Sequence, residues 1–175
     1  MNENLPVLYI SILLGLLAIV AVILLRQIIN SRKIESRFSK LQDKLKNQKG
    51  TAQEYYELAS IYLDKKLFVQ AVQLLQRALK VGDNIEPENK ALMYNALGFA
   101  HFSQEQYDIA IRNYKEAIKL YPEYAIALNN LGNVYEKKQL ISQALDCYKQ
   151  TLECEPKNVI ANKRVESLQK RLVIN

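Results

Sequence analysis

The stretch NNLGNVYEKKQL, Asn129 to Leu140, repeats the pattern of an earlier one, NALGFAHFSQEQY, Asn95 to Tyr107. Leu-Gly falls at the same place in both, and an alanine follows twelve residues after each glycine, Ala110 and Ala144. Extending the alignment pairs Leu97 with Leu131, Gly98 with Gly132, His101 with Tyr135, Tyr114 with Tyr148 and Pro122 with Pro156, every pair thirty-four residues apart. A third copy lies upstream in Leu58, Ala59, Tyr62, Phe68, Ala71, Leu75 and Ala78, offset by thirty-nine residues because VGDNIEPENK, Val81 to Lys90, is five residues longer. Within each copy, apolar residues recur at steps of three and four, which is the period of one face of a helix.

A period of this length resembles the tetratricopeptide repeat (TPR), a helix-turn-helix unit. The departures from its usual pattern are Tyr55, Tyr94 and Leu128 in the tryptophan slot, Ala59 for the first glycine and Thr151 for the last small alanine. In the first helix of a unit (A), Tyr94, Leu97, Gly98 and His101 make one stripe, and the glycine lets a partner helix approach at a cost of about 1 kcal/mol in helix propensity. In the second helix (B), Ala110, Tyr114 and Ala117 recur at steps of four and three, and Pro122 and Pro156 end the B helices. One such pair cannot bury its apolar face alone, so units stack and share a core. The fold class expected is all-α, a right-handed TPR solenoid of three repeats over residues 52–85, 91–124 and 125–158. Residues 159–175, with Val165, Leu168 and Leu172 apolar, read as a capping helix and tail.

The chain of 175 residues opens differently. VLYISILLGLLAIVAVILL, Val7 to Leu25, contains no charged residue, and Leu5 to Leu25 holds fifteen Leu, Ile and Val. As a helix, the nineteen residues rise about 28 Å, close to the hydrocarbon thickness of a bilayer. A buried core helix would need a larger protein around it. A cleaved signal peptide would start with Lys or Arg and end its apolar core at a small-x-small site. The leader MNENLP and the ending VILLRQ fit neither, so residues 1–25 are expected to be an uncleaved transmembrane anchor.

Net charge is +6, but its distribution matters more: Met1–Leu25 carries −1, Arg26–Thr51 +6, Ala52–Asn158 −2 and Val159–Asn175 +3. A nucleic-acid protein spreads lysine and arginine over its folded surface; here they follow the apolar run. By the positive-inside rule the N-terminus crosses the membrane and everything after Arg26 stays on the cytosolic or stromal side. Within the stalk, residues 26–51, Ile34, Phe38, Leu41 and Leu45 form a narrow helical stripe. That stripe can pack on the repeats or pair with another helix, and the basic face can lie on anionic lipid at about 1 kcal/mol per Lys or Arg.

No chemistry is legible, and the chain is not expected to be an enzyme, to hold a metal or cofactor, or to act on a small-molecule substrate. The single histidine, His101, occupies a slot that holds tyrosine in the other units, Tyr62 and Tyr135. Cys147 and Cys154, seven residues apart on one predicted helix, are about 10 Å apart along its axis and cannot bridge.

What remains is a surface. A second stripe runs along each A helix: Tyr56, Ser60 and Leu63; Asn95, Phe99 and Phe102; Asn129, Asn133 and Glu136. The family resemblance implies that these positions line a concave groove for a protein segment. Asparagines there can hydrogen-bond a ligand backbone and the two phenylalanines can anchor it, or the rings can pack beneath the stalk or tail instead. Chaperone-docking members grip a carboxylate with Lys or Arg early in the first and third A helices, where this chain has Tyr56 and Asn129. Chaperone docking is therefore not expected. The whole layout resembles the photosystem I assembly and accessory proteins of red-algal plastids and cyanobacteria. That resemblance implies a thylakoid scaffold for photosystem I subunits or intermediates. The rival readings are a receptor for another membrane assembly or secretion process, and a structural organiser that dimerises through the stalk.

Overall fold

A computed structural model describes residues 5–81 and 85–174, with side chains at 8–81 and 85–171. Residues 1–4 of the leader, Gly82–Asn84 of the long connection, Asn175 and the Leu172 side chain lie outside the described residues. Among the described residues there are eight helices and no strand. They fall into two compact units, divided after Asn47.

The first unit is one helix, α1, Leu5–Asn47, forty-three residues long. The segments expected as anchor and stalk share it without a break because neither Gly nor Pro occurs between Gly15 and its end. It rises about 64 Å, and its N-terminal part is long and apolar enough to cross a membrane.

The second unit is a stack of helical hairpins with a shared interior: α2 (Ala52–Asp64) with α3 (Phe68–Val81), α4 (Pro87–Ser103) with α5 (Tyr107–Leu120), α6 (Ala125–Lys137) with α7 (Ile141–Cys154), then α8 (Val159–Ile174). Each helix packs on the next in the chain, and α2, α4 and α6, the A helices, are also neighbours. The stack starts at a capping box, where Thr51 Oγ1 accepts from the Glu54 N–H at 3.2 Å and Glu54 Oε2 accepts from the Thr51 N–H at 3.0 Å. Helix α4 begins at Pro87, four residues before the second unit's first periodic position, because proline is suited to the first helical turn.

Two contacts explain the repeat signature. Gly98 lies under the ring of Tyr114, such that a Cβ there would meet ring carbons at 2.6 Å, and Gly132 lies under Tyr148 in the same way at 2.8 Å. Both tyrosines are about 1 % exposed. In the first hairpin the equivalent slots hold Ala59 and Leu75, both fully buried, so a larger A-helix residue faces a smaller B-helix one. Thr151, in the slot of Ala78 and Ala117, is fully buried, but its hydroxyl donates to the Cys147 carbonyl at 3.0 Å, which satisfies the group.

The A-to-B turns are built alike. Lys66, Glu105 and Gln139 each have φ of 59°, and the residue after each donates its N–H back to the A helix: Leu67 to Tyr62 O at 2.8 Å, Gln106 to His101 O at 2.9 Å, Leu140 to Tyr135 O at 2.9 Å. These are Schellman endings in which a side-chain-bearing residue occupies the left-handed position that favours glycine.

Candidate protein-binding face

The side chains expected to line the groove stand on three neighbouring A helices, and the structure sorts them into two groups. One group is held inside the chain. Asn95 Nδ2 donates to the Tyr124 hydroxyl at 3.3 Å while Asn95 Oδ1 accepts from Asn130 Nδ2 at 2.9 Å. The amide thus ties α4 to α6 and to the turn before α6. Asn129 Nδ2 donates to Asn158 Oδ1 at 3.3 Å, and that same oxygen caps α8 by accepting from the Ala161 N–H at 3.0 Å. Asn129 Oδ1 is shut off from solvent without a partner among the described residues. Glu136 Oε1 accepts from the Tyr148 hydroxyl at 2.8 Å and lies 3.6 Å from Arg164 Nε, joining α6, α7 and α8. Ser60 donates its hydroxyl to the Tyr56 carbonyl at 2.9 Å, one turn back on its own helix.

The other group faces outward to varying degrees. Phe99 is 41 % exposed although the Phe68 ring meets it edge-on at 6.3 Å. Tyr56, Leu63 and Asn133 are half-buried, and Asn133 forms no side-chain hydrogen bond with any described residue. Phe102 is half-buried as well, its ring 5.8 Å from that of Tyr107, packed against the core.

Sequence reading missed three exposed aliphatic residues, Leu92 at 36 % on α4, Ile126 at 57 % on α6 and Ile160 at 61 % on α8. The signal was present, since each holds the same place in its unit, thirty-four residues from the next.

The titratable groups nearby serve packing. Burial raises the pKa of the Tyr124 hydroxyl, which the hydrogen bond from Asn95 partly offsets; burial and then Glu136 raise that of Tyr148. Burial pushes the Cys147 thiol up to about 11. Both cysteines are free, Cys147 buried and Cys154 exposed. His101 donates from Nδ1 to Gln106 Oε1 at 2.6 Å across the A-to-B turn. Among the described residues no three His, Cys, Asp or Glu side chains converge on one point.

Paired helices at this period, with a glycine under a tyrosine in two of them, define a tetratricopeptide-repeat protein. Family models for the TPR repeat match residues 98–139 and for the tetratricopeptide repeat residues 125–158. The ycf37 protein of Guillardia theta is 34 % identical over 173 residues, covering 99 % of this chain and 97 % of that one. The chloroplastic tetratricopeptide repeat domain-containing protein PYG7 of Arabidopsis thaliana is 32 % identical over 94 % of this chain, which spans 54 % of its length. In fold, the crystal structure of MamA superposes with a TM-score of 0.71 at 22 % identity, covering 81 % of this chain and 80 % of that one. The chain belongs to the ycf37 family of tetratricopeptide-repeat proteins. It is a protein-interaction scaffold, a fold not typical of enzymes.

Proposed function

We propose that this protein is a membrane-anchored docking scaffold whose A-helix face holds a segment of a protein partner, and that it assists the assembly or stability of photosystem I. The observation that carries the docking reading is Phe99: a phenylalanine 41 % exposed on the face formed by successive A helices, among half-buried Tyr56, Leu63 and Asn133. A large apolar group on such a face is a natural anchor for a partner side chain. In this reading residues 1–25 span the bilayer, 26–51 form the stalk, 52–158 the repeats and 159–175 the cap. The apolar part of α1 supports the span, and the cluster of Arg and Lys from Arg26 to Lys49 supports a translocated N-terminus with the repeats on the stromal or cytosolic side. The same charges favour anionic lipid at the membrane surface.

The photosystem I assignment draws support from the chloroplastic relative in Arabidopsis thaliana and from the expected order of anchor, stalk, repeats and cap. The test is co-purification. Tagged full-length protein, extracted in mild detergent from photosynthetic membranes, is expected to bring down photosystem I subunits or partial assemblies. Recovery of a secretion or transport assembly would reassign it, and recovery of a second copy alone would make it an organiser.

A further inference from the structure

The three missed aliphatics form a ladder. Leu92 on α4, Ile126 on α6 and Ile160 on α8 occupy the same place in successive units, and all are exposed. Single exposed aliphatics are ordinary on a protein surface, but three at the same register of successive units make an apolar row. Helices α4 and α6 are neighbours, and α8 is tied to α6 by Asn129 with Asn158 and by Glu136 with Arg164; at a helix-to-helix distance of roughly 8 to 10 Å the rungs are spaced by about as much. A partner helix repeats its face every seven residues, about 10.5 Å along its axis, and so presents i, i+7 and i+14 to the three rungs. An extended segment covers the same rise in three residues, but an odd step turns the side chain to the opposite face.

The ladder has a charged end. Lys163 follows Ile160 by three residues, about one turn along α8 and on its side away from the buried Ala161 and Leu168. It is exposed and forms no ion pair among the described residues. The neighbouring Arg164 is engaged by Glu136. Residues 52–158 carry −2 and 159–175 carry +3, so cationic character sits at the α8 end.

We infer that this edge receives one amphipathic helix of a partner protein, with aliphatic side chains at i, i+7 and i+14 on Leu92, Ile126 and Ile160 and carboxylates at the end that meets Lys163. The inference rests on the docking reading above and specifies its ligand.

The probe is a fluorescein-labelled helical peptide with leucine every seventh residue over about three heptads and glutamates at one end. It is titrated onto full-length protein in nanodiscs of neutral phosphatidylcholine. Two companion peptides carry lysines in place of the glutamates or serines in place of the leucines. The acidic leucine peptide is expected to bind, to weaken as salt rises, and to lose about tenfold or more in affinity against Ile126→Ser with Ile160→Ser, whose circular dichroism is unchanged. Lys163→Glu is expected to shift the preference towards the lysine peptide. Equal binding of acidic and basic peptides overturns the charged end, and unaltered binding by the isoleucine variant overturns the ladder. In either case capture of a partner by a photoreactive residue at Phe99 leaves the docking reading standing. Failure of every peptide together with failure of that capture removes both.

Discussion

Replacing Gly98 with alanine adds one carbon atom where the structure has no room for it. The new Cβ falls 2.6 Å from Cδ1 and Cε1 of Tyr114 and 2.9 Å from its Cζ. Ordinary contacts begin near 3.4 Å, so the ring must retreat by most of an ångström, yet Tyr114 is 1 % exposed and enclosed on all sides. Overpacking of this kind costs about 1 to 3 kcal/mol, and the clash places it near the upper end. Alanine returns about 1 kcal/mol in helix propensity. The net loss is thus about 2 kcal/mol, a fall of roughly 6 to 12 °C in Tm for a body of this size. The first hairpin supplies the control, because its equivalent slots hold Ala59 and Leu75. Gly98→Ala with Tyr114→Leu recreates that pairing, so the double variant is expected to lose less than the sum of the singles, with coupling of about 1 to 3 kcal/mol. Urea unfolding of the full-length protein in detergent, followed by circular dichroism at the helical band, gives the cycle. An alanine variant as stable as the parent, or additive losses in the double, would refute the reasoning that glycine is needed by the tyrosine above it.

Four further outcomes follow from the geometry. Glycine at Lys66, Glu105 or Gln139 is expected to stabilise by about 0.5 to 1 kcal/mol each, relief of the left-handed position outweighing glycine's greater freedom when unfolded; urea midpoints measure it. Glu136→Ala leaves the buried Tyr148 hydroxyl without its acceptor and is expected to cost about 1 to 3 kcal/mol, an effect that should shrink in a Tyr148→Phe background. Folding holds the Cys147 thiol neutral up to about 11 against 9.0 when free, so its contribution is complete below pH 9 and is lost as pH rises towards 11. The buried hydroxyls of Tyr114, Tyr124 and Tyr148 act in the same direction higher up. Urea midpoints at pH 8 and pH 10.5 are therefore expected to fall, and Cys147→Ala to fall less. At neutral pH a thiol reagent is expected to modify Cys154 at once and Cys147 only on unfolding; two fast thiols would contradict the burial of Cys147.

The hairpins were legible because their cause is local and periodic: Leu-Gly, the tyrosine sixteen residues on and the closing proline recur in one register. Exposure was less legible, since a stripe on a helix does not say what lies beside it. Asn95 and Asn129 read as free amides for a ligand. The structure engages Asn95 with Asn130 and Tyr124, and Asn129 with Asn158, partners twenty-nine and more residues away that only the stacking brings near. Glu136 read as a groove residue and is 15 % exposed, because Tyr148 and Arg164 approach it from two other helices. Leu92, Ile126 and Ile160 went unnoticed for the opposite reason. An aliphatic residue in a helix suggests core, and only the fold shows these three left outside it. The turns carry a similar lesson: Lys66, Glu105 and Gln139 hold left-handed positions, and nothing in their chemistry announces it.

In the docking reading a partner protein meets the A-helix face, not the B-helix face. A photoreactive residue placed at Phe99, and in a separate variant at the exposed Arg112 of α5, tests it directly when irradiated in native membranes. A covalent adduct with a second protein is expected from position 99 and none from position 112. An adduct from 112 with nothing captured at 99 would contradict that reading.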